Sequence, residues 1–187
     1  MYTSKALTVK QNNTGITISY KSDYVVDHLI DFLTQNHIKF THSKQQIEIK
    51  CDLGKTLVDS QKEYKHILPY DKVLTICLTL SSQLKYLHQQ NYVIDHLYRK
   101  DILILDNNYA LYVGVHHIES VENSQITIPD NIYTFGVLMI KLLFNKDVTK
   151  DKYNLEKVIE PLYYTNLYWT ILRSMDKNPD NRVLLYI

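Results

Sequence analysis

Glycine, proline and cysteine are scarce in this chain of 187 residues, which contains four, four and two of them. The glycines, Gly15, Gly54, Gly114 and Gly136, are spaced so that neither a GxGxxG turn nor a Walker loop can be drawn. That excludes the usual backbone cradle for the phosphates of a nucleotide. Cys51 and Cys77 form no CxxC pair and belong to no ligand cluster, which argues against a disulfide scaffold or a cysteine zinc module. Both are read as reduced thiols. An excess of one charge is also missing: 21 Lys and Arg stand against 20 Asp and Glu, and a net charge of +1 recruits neither nucleic acid nor an anionic membrane. The longest apolar runs, such as Val73–Leu80 and Val137–Ile140, are interrupted far short of the ~20 residues of a membrane span. Met1 opens no basic-then-apolar leader. A cytoplasmic protein with no membrane segment in this chain is the expectation.

Apolar residues make up 45% of the chain, enough for a real core in one domain or in a small unit plus a larger one. ALTVKQNNTGITISYK predicts two strands around a polar turn at Asn12–Gly15. Asp23 is placed to cap a short helix over Tyr24–Asn36, with Val25, Val26, Leu29, Ile30 and Leu33 at helical spacing. Lys39–His42 and Gln46–Cys51 predict two further strands. A polar, Gly-containing segment over Asp52–Lys65 then crosses to the second part. Pro69 and Asp71 open a long helix to about Gln90, whose buried stripe is Val73, Cys77, Leu80, Leu84 and Leu87. Val93–Leu97, Ile102–Leu105 and Leu111–Val115 predict short strands, with a turn at Asp106–Asn108. Three helical patterns close the chain, at Asn131–Leu143, about Tyr153–Ile159 and Leu162–Met175, and Pro179 blocks extension of the last.

Four segments in this order resemble parts of the protein kinase family. IEIKCDLGKTLVDS is similar to the family's hinge and following helix, and LPYDKVLTICLTLSSQLKYLHQQNYVI to the long helix that leads into the catalytic loop. DNIYTFGVLMIKLL resembles the buried helix written Asp-x-Trp-Ser-x-Gly, with Asn131 at its head and Tyr133, Thr134 and Gly136 in the Trp, Ser and Gly places. MDKNPDNR resembles the final Asp-Pro-x-x-Arg signature, carried by Asn178, Pro179 and Arg182. The resemblance covers about residues 46–187 and rests before that on element order. It implies an α+β fold of kinase type, with a reduced N-lobe sheet and one helix over residues 1–51 and a mainly helical C-lobe over 52–187.

Kinase chemistry needs a carboxylate to orient the substrate hydroxyl, an Asn and an Asp to hold magnesium, a phosphate-binding lysine and a Gly-rich loop. Matching Asp101-Ile102-Leu103-Ile104 to the family's Asn-Ile-Leu-Leu puts Ile94, Asp95 and His96 in the His, Arg and Asp places. His96 thus replaces the catalytic carboxylate, Tyr98 replaces a lysine, and Asp101 stands where Asn would bind a cation. Val113, Gly114 and Val115 take the Asp-Phe-Gly places, and valine binds no metal. A one-residue shift would return Asp95 to the catalytic place but would leave Val113 as it is. ISYK at Ile18–Lys21 is faintly similar to Val-Ala-Ile-Lys, but a surface lysine before a capped helix is the favoured reading. The resemblance implies a pseudokinase with no cofactor and no metal, whose partner is another protein, a kinase or a secretion-system component. It is similar in layout to the truncated kinase homologues of baculoviruses, and also to the EssB-type cytosolic pseudokinase domain of type VII secretion. A third alternative is an enzyme with unorthodox nucleotide chemistry.

Three other groups stand out. His116 and His117 point opposite ways in an extended chain, so with Glu119 they are expected in a solvated loop. His88 ends the long helix, where a cation is favoured by the helix dipole. Tyr164, Tyr168 and Trp169 fall at helical spacing, which favours packing over an exposed aromatic face.

Overall fold

A computed structural model describes residues 2–3, 7–20, 26–148 and 154–184. It is an α+β structure with small antiparallel sheets. The first sheet contains β1 (Tyr2–Thr3), β2 (Leu7–Gln11), β3 (Gly15–Tyr20), β4 (Phe40–Ser43) and β5 (Gln46–Lys50) in the order β1-β2-β3-β5-β4. Alternation sets its two faces: Leu7, Val9, Ile16, Ile18, Ile47 and Ile49 all point to the buried side. Helix α1 (Asp27–Gln35) lies between β3 and β4 in sequence and adds Leu29, Phe32 and Leu33 to that core. Asp23, Lys21, Tyr24 and Val25, from which a cap, a lysine and an earlier helix start were expected, lie outside the described residues.

The segment Asp52–Lys65 is more than a polar crossing. It forms β6 (Gly54–Thr56) and helix α2 (Leu57–Glu63), capped by the Thr56 hydroxyl, which accepts from the Asp59 N–H at 3.1 Å. Its polar composition conceals a buried side made by Leu57, Ser60 and Gln61. Helix α3 (Tyr70–Gln89) follows, then β7 (Tyr92–Ile94), β8 (Ile102–Leu105), β9 (Tyr109–Tyr112) and β10 (Ile118–Ser120). Strands β6, β8 and β9 form one sheet, and β7 pairs with β10 in another. Asp106 and Asn107 both take positive φ at the β8–β9 turn, a conformation their short polar side chains tolerate. Helix α4 (Ile128–Phe144) begins with a capping box between Thr127 and Asp130 and ends at left-handed Asn145. Helix α5 spans Leu155–Ile159 and α6 Asn166–Ser174. The last is shorter than the pattern over Leu162–Met175 predicted, because a 3-10 turn at Glu160–Leu162 and left-handed Tyr164 precede it. Among the described residues no helix is long and apolar enough to cross a membrane.

Buried apolar residues form two clusters. One joins the first sheet and α1 to Leu103, Leu105, Leu111, Val113 and Val115. The other gathers α3, α4 and α6 with Ile102, Ile104, Ala110 and Tyr112. Alternate residues of β8 and β9 therefore serve opposite cores, as the period of two requires for strands buried on both faces.

Strand β9 pairs with β8 on one edge only, and α3 supplies the other edge. Thr79 Oγ1 accepts from the Ala110 N–H at 3.0 Å, while the Gln83 amide accepts from Tyr112 N–H and donates to Tyr112 C=O, both at 2.8 Å. Four residues along a helix rise about 6 Å and two along a strand about 6.7 Å, so Thr79 and Gln83 meet alternate strand residues in step. Replacing Gln83 with Ala leaves two buried backbone groups at Tyr112 without their partner. Such a variant is expected to lose about 2–4 kcal/mol of stability in urea unfolding; a loss under about 0.5 kcal/mol would show that this edge does not depend on the amide.

Candidate functional site

Two turns meet where the degenerate loop was expected. The first runs from the end of β7 through Asp95, His96 and Tyr98 to a 3-10 turn at Arg99–Asp101. The second runs from β9 through Val113 and Gly114 to a 3-10 turn at Val115–His117. Backbone hydrogen bonds clamp them together: Asp95 N–H donates to His117 C=O at 2.8 Å, and Val113 N–H to Asp101 C=O at 2.8 Å. Two tyrosine hydroxyls add to the clamp. Tyr112 donates to His96 C=O at 3.0 Å, and Tyr20, from the first sheet, donates to Val113 C=O at 3.2 Å. Burial, with Asp101 nearby as a second cause, raises the pKa of both phenols, so they stay protonated donors.

The sequence-predicted residues divide by burial. Asp101 and Val113 are fully buried, Asp95 is half-buried, and His96 and Tyr98 are exposed. Val113 packs in the core of the first sheet. Asp95 Oδ2 lies 3.0 Å from His96 Nδ1, and the His96 ring stacks on His117 with centroids 5.7 Å apart. Tyr98 sets its edge against both rings, and Lys100 Nζ lies 4.8 Å from the Tyr98 centroid. His117 Nε2 is 4.0 Å from Asp101 Oδ2. Burial, then the neighbouring His116 and His96, pulls the His117 pKa down to about 4, so its imidazole is neutral near pH 7. Burial lowers the His116 pKa in the same direction.

His116 and His117 therefore do not lie in an extended, solvated loop. Their 3-10 turn brings the rings to 4.1 Å between centroids, and Asp101 completes the group, while Glu119 is exposed on β10. One ligand atom from each of Asp101, His116 and His117 lies within 4.8 Å of the others. These side chains can accept protons and could hold a cation, while the Val113 side chain packs into the core of the first sheet.

The remaining motif residues hold the site from below. Asn131, fully buried in α4, accepts from Ile94 N–H at 3.2 Å and donates to Ile94 C=O at 3.0 Å. His88 Nε2 lies 3.1 Å from the same Asn131 oxygen, and burial lowers its pKa, so it acts as a neutral partner and not as a dipole-stabilised cation. Thr134 donates to Asp130 C=O at 3.0 Å. Gly136 lets α4 approach α6, since a Cβ there would meet the Ser174 hydroxyl and Met175. Arg182 Nε donates to Asp176 C=O at 2.9 Å, and its guanidinium reaches Asp130 Oδ1 at 3.3 Å and Pro129 C=O at 3.4 Å, 4.9 Å from the Tyr133 centroid. The aromatic group near α6 divides: Tyr163, Trp169 and Tyr164, the last 90% exposed, face outward, and the buried Tyr168 meets Tyr163 and Trp169 edge-on while Tyr164 meets Tyr163. Tyr164 precedes the helix and does not follow its spacing.

Gln83, Thr79, Tyr20 and Tyr112 were not singled out from the sequence. The available signal was a pair of polar residues four apart beside the apolar stripe of α3. No protein-family model matches the chain, and no curated protein matches it either.

Two outcomes follow from Asn131 and Asp130. Asn131→Asp places a carboxylate against Ile94 C=O and removes the donor, so it is expected to destabilise by about 2 kcal/mol or more in urea unfolding. An unchanged midpoint would refute the two-way bond. The Thr127 hydroxyl and N–H, and then Arg182, hold the Asp130 carboxyl below its usual pKa. The stability this brings is complete above the unfolded carboxylate range, near pH 3.9, and is lost as pH falls through the lower folded value. The stability gap between wild type and Asp130→Asn should accordingly narrow as pH falls below about 4, and a constant gap would contradict it.

Proposed function

We propose that this chain is a catalytically inactive, protein kinase-like module that acts through protein–protein contacts as a regulator, inhibitor or scaffold. The order of elements supports the reading. A small antiparallel sheet carrying one helix comes first, then a connection with its own short helix α2, the long α3, two clamped turns around a strand pair, the buried α4, and an arginine returning to the start of α4. The reading takes these elements as counterparts of those in the protein kinase family, on element order alone before residue 46 and on the quoted segments after it.

Val113 carries the functional reading. At the place where a kinase holds its principal magnesium carboxylate, this chain puts an isopropyl group into the core of the first sheet, and Tyr20 bonds the carbonyl of the same residue. Magnesium held there would have to displace packed apolar atoms and would meet no oxygen ligand from that side chain. His96 cannot replace the missing carboxylate as an anionic acceptor, and Tyr98 cannot supply the positive charge of the lysine. A binding role is supported instead by the exposed Tyr163, Tyr164 and Trp169, with Trp169 also lining a groove of about 840 Å³ beside Tyr133, Leu155 and Arg173. Tyr and Trp offer large contact area at low entropic cost.

Thermal unfolding with and without ATP and magnesium tests this. A nucleotide at a hundred times its Kd would stabilise the folded state by about 2.7 kcal/mol, whereas the expected shift is nil. A rise of several degrees, or radiolabelled phosphate transfer above that of a His96→Ala control, would overturn the reading.

A further inference from the structure

We propose that Asp101, His116 and His117 form a binding site for a borderline divalent transition metal, with zinc as the best fit. The inference stands independently of the kinase-like reading, since the three residues are brought together by contacts seen in the structure and include two that the resemblance assigns to no site.

The ligand atoms lie within 4.8 Å of one another, and the His117–Asp101 pair is at 4.0 Å. In a tetrahedral zinc site with bonds near 2.0–2.1 Å, neighbouring ligand atoms are about 3.3 Å apart. Small rotations about the side-chain torsions close that difference.

The backbone at Asp101 and His117 is already held. Asp101 N–H donates to Tyr98 C=O at 3.0 Å, and Asp101 C=O accepts from Val113 at 2.8 Å. His117 N–H donates to Gly114 C=O at 2.9 Å, and His117 C=O accepts from Asp95 at 2.8 Å. Ordering entropy that a loop site would lose on binding has therefore been lost already on folding. Gly114 makes the approach possible: a Cβ there would stand 2.5 Å from the Tyr112 hydroxyl oxygen and 3.0 Å from Asp101 Cβ. The 3-10 turn matters equally. It turns adjacent residues by about 120° instead of the half-turn of a strand, which lets His116 and His117 present their rings to one side with centroids 4.1 Å apart.

The donor set selects the metal. Two imidazole nitrogens and one carboxylate oxygen suit zinc and its first-row neighbours, while magnesium prefers six oxygens and would find one here. Three protein ligands leave a further coordination position for water or an incoming ligand. A bound metal would also cross-link the two turns, one ending in β8 and the other leading into β10.

The test uses the full chain stripped with EDTA. Calorimetric titration with zinc chloride should show one zinc per chain and a raised unfolding midpoint, and magnesium chloride should give neither. His116→Ala and His117→Gln, checked for folding by circular dichroism, should each weaken zinc binding by about a hundredfold, since even residues outside the ligand shell cost 10–100-fold. His42→Ala, on exposed β4, should leave it unchanged. Cobalt(II) gives a readout on the wild-type protein that needs no variant: the strong visible absorption of a four- or five-coordinate centre. No zinc uptake at 100-fold excess over protein, preference for magnesium, uptake unaffected by both histidine substitutions, or only the weak spectrum of six-coordinate cobalt would overturn the proposal.

Discussion

Buried backbone must find partners, and the strands around the candidate site are too short to supply them to one another. Strands β7 and β10 have three residues each, and β9 has four with only one paired edge. An N–H or C=O left without a partner in such a place costs about as much as a lost hydrogen bond. Two side-chain amides meet this need. Gln83 brackets Tyr112 from α3, and Asn131 brackets Ile94 from α4, each giving one donor and one acceptor to a single residue. An amide can do this and a carboxylate cannot, because only the amide carries both a donor and an acceptor. These contacts hold the strands that deliver the two turns, so the position of Asp95, His96, Asp101 and His117 depends on them.

The same strands connect the two apolar clusters. Leu103, Leu105 and Leu111 face the core of the first sheet, and Ile102, Ile104 and Tyr112 face the helices. Val113 extends the first cluster directly into the site, where Tyr20 adds a hydrogen bond from β3. A charged side chain at position 113 would have to be buried among Leu and Ile, at a cost of several kcal/mol. Burial of Val113 in this core thus links the packing of the first sheet to the proposed absence of a metal carboxylate at that position. Polar groups persist on the other side of that residue, where Asp101, His116 and His117 gather.

Local periodicity and turn chemistry account for most elements. The stripe of α3, the β2–β3 hairpin, the Asp106–Asn108 turn and the body of α4 all rest on contacts within a few residues. Such patterns carry their own physical cause. Composition and periodicity conceal helix α2, which only the resemblance implies, because Asp59, Lys62 and Glu63 make its segment polar and its buried face consists of only three residues. The α6 boundary was misplaced because Tyr163 and Tyr164 continue the aromatic composition of the helix without its backbone conformation.

The sequence by itself determined the α+β class, the poverty of phosphate-binding glycines, and the identity of the groups at positions 95, 96, 98, 101 and 113. It determined these because composition and short-range spacing are properties of the chain alone. Only the tertiary structure decided which of those groups meet. His116 and His117 are adjacent in sequence, but whether their rings diverge or converge depends on a 3-10 turn held by Gly114 and by the Asp95–His117 hydrogen bond. Asp101 joins them from fifteen residues away because Val113 is hydrogen-bonded to its carbonyl. His88 is a half-buried neutral partner of Asn131 because α3 and α4 pack together there. Contacts between residues distant in sequence carry no local pattern, and it is these contacts that fix burial, protonation and the mutual geometry of the site.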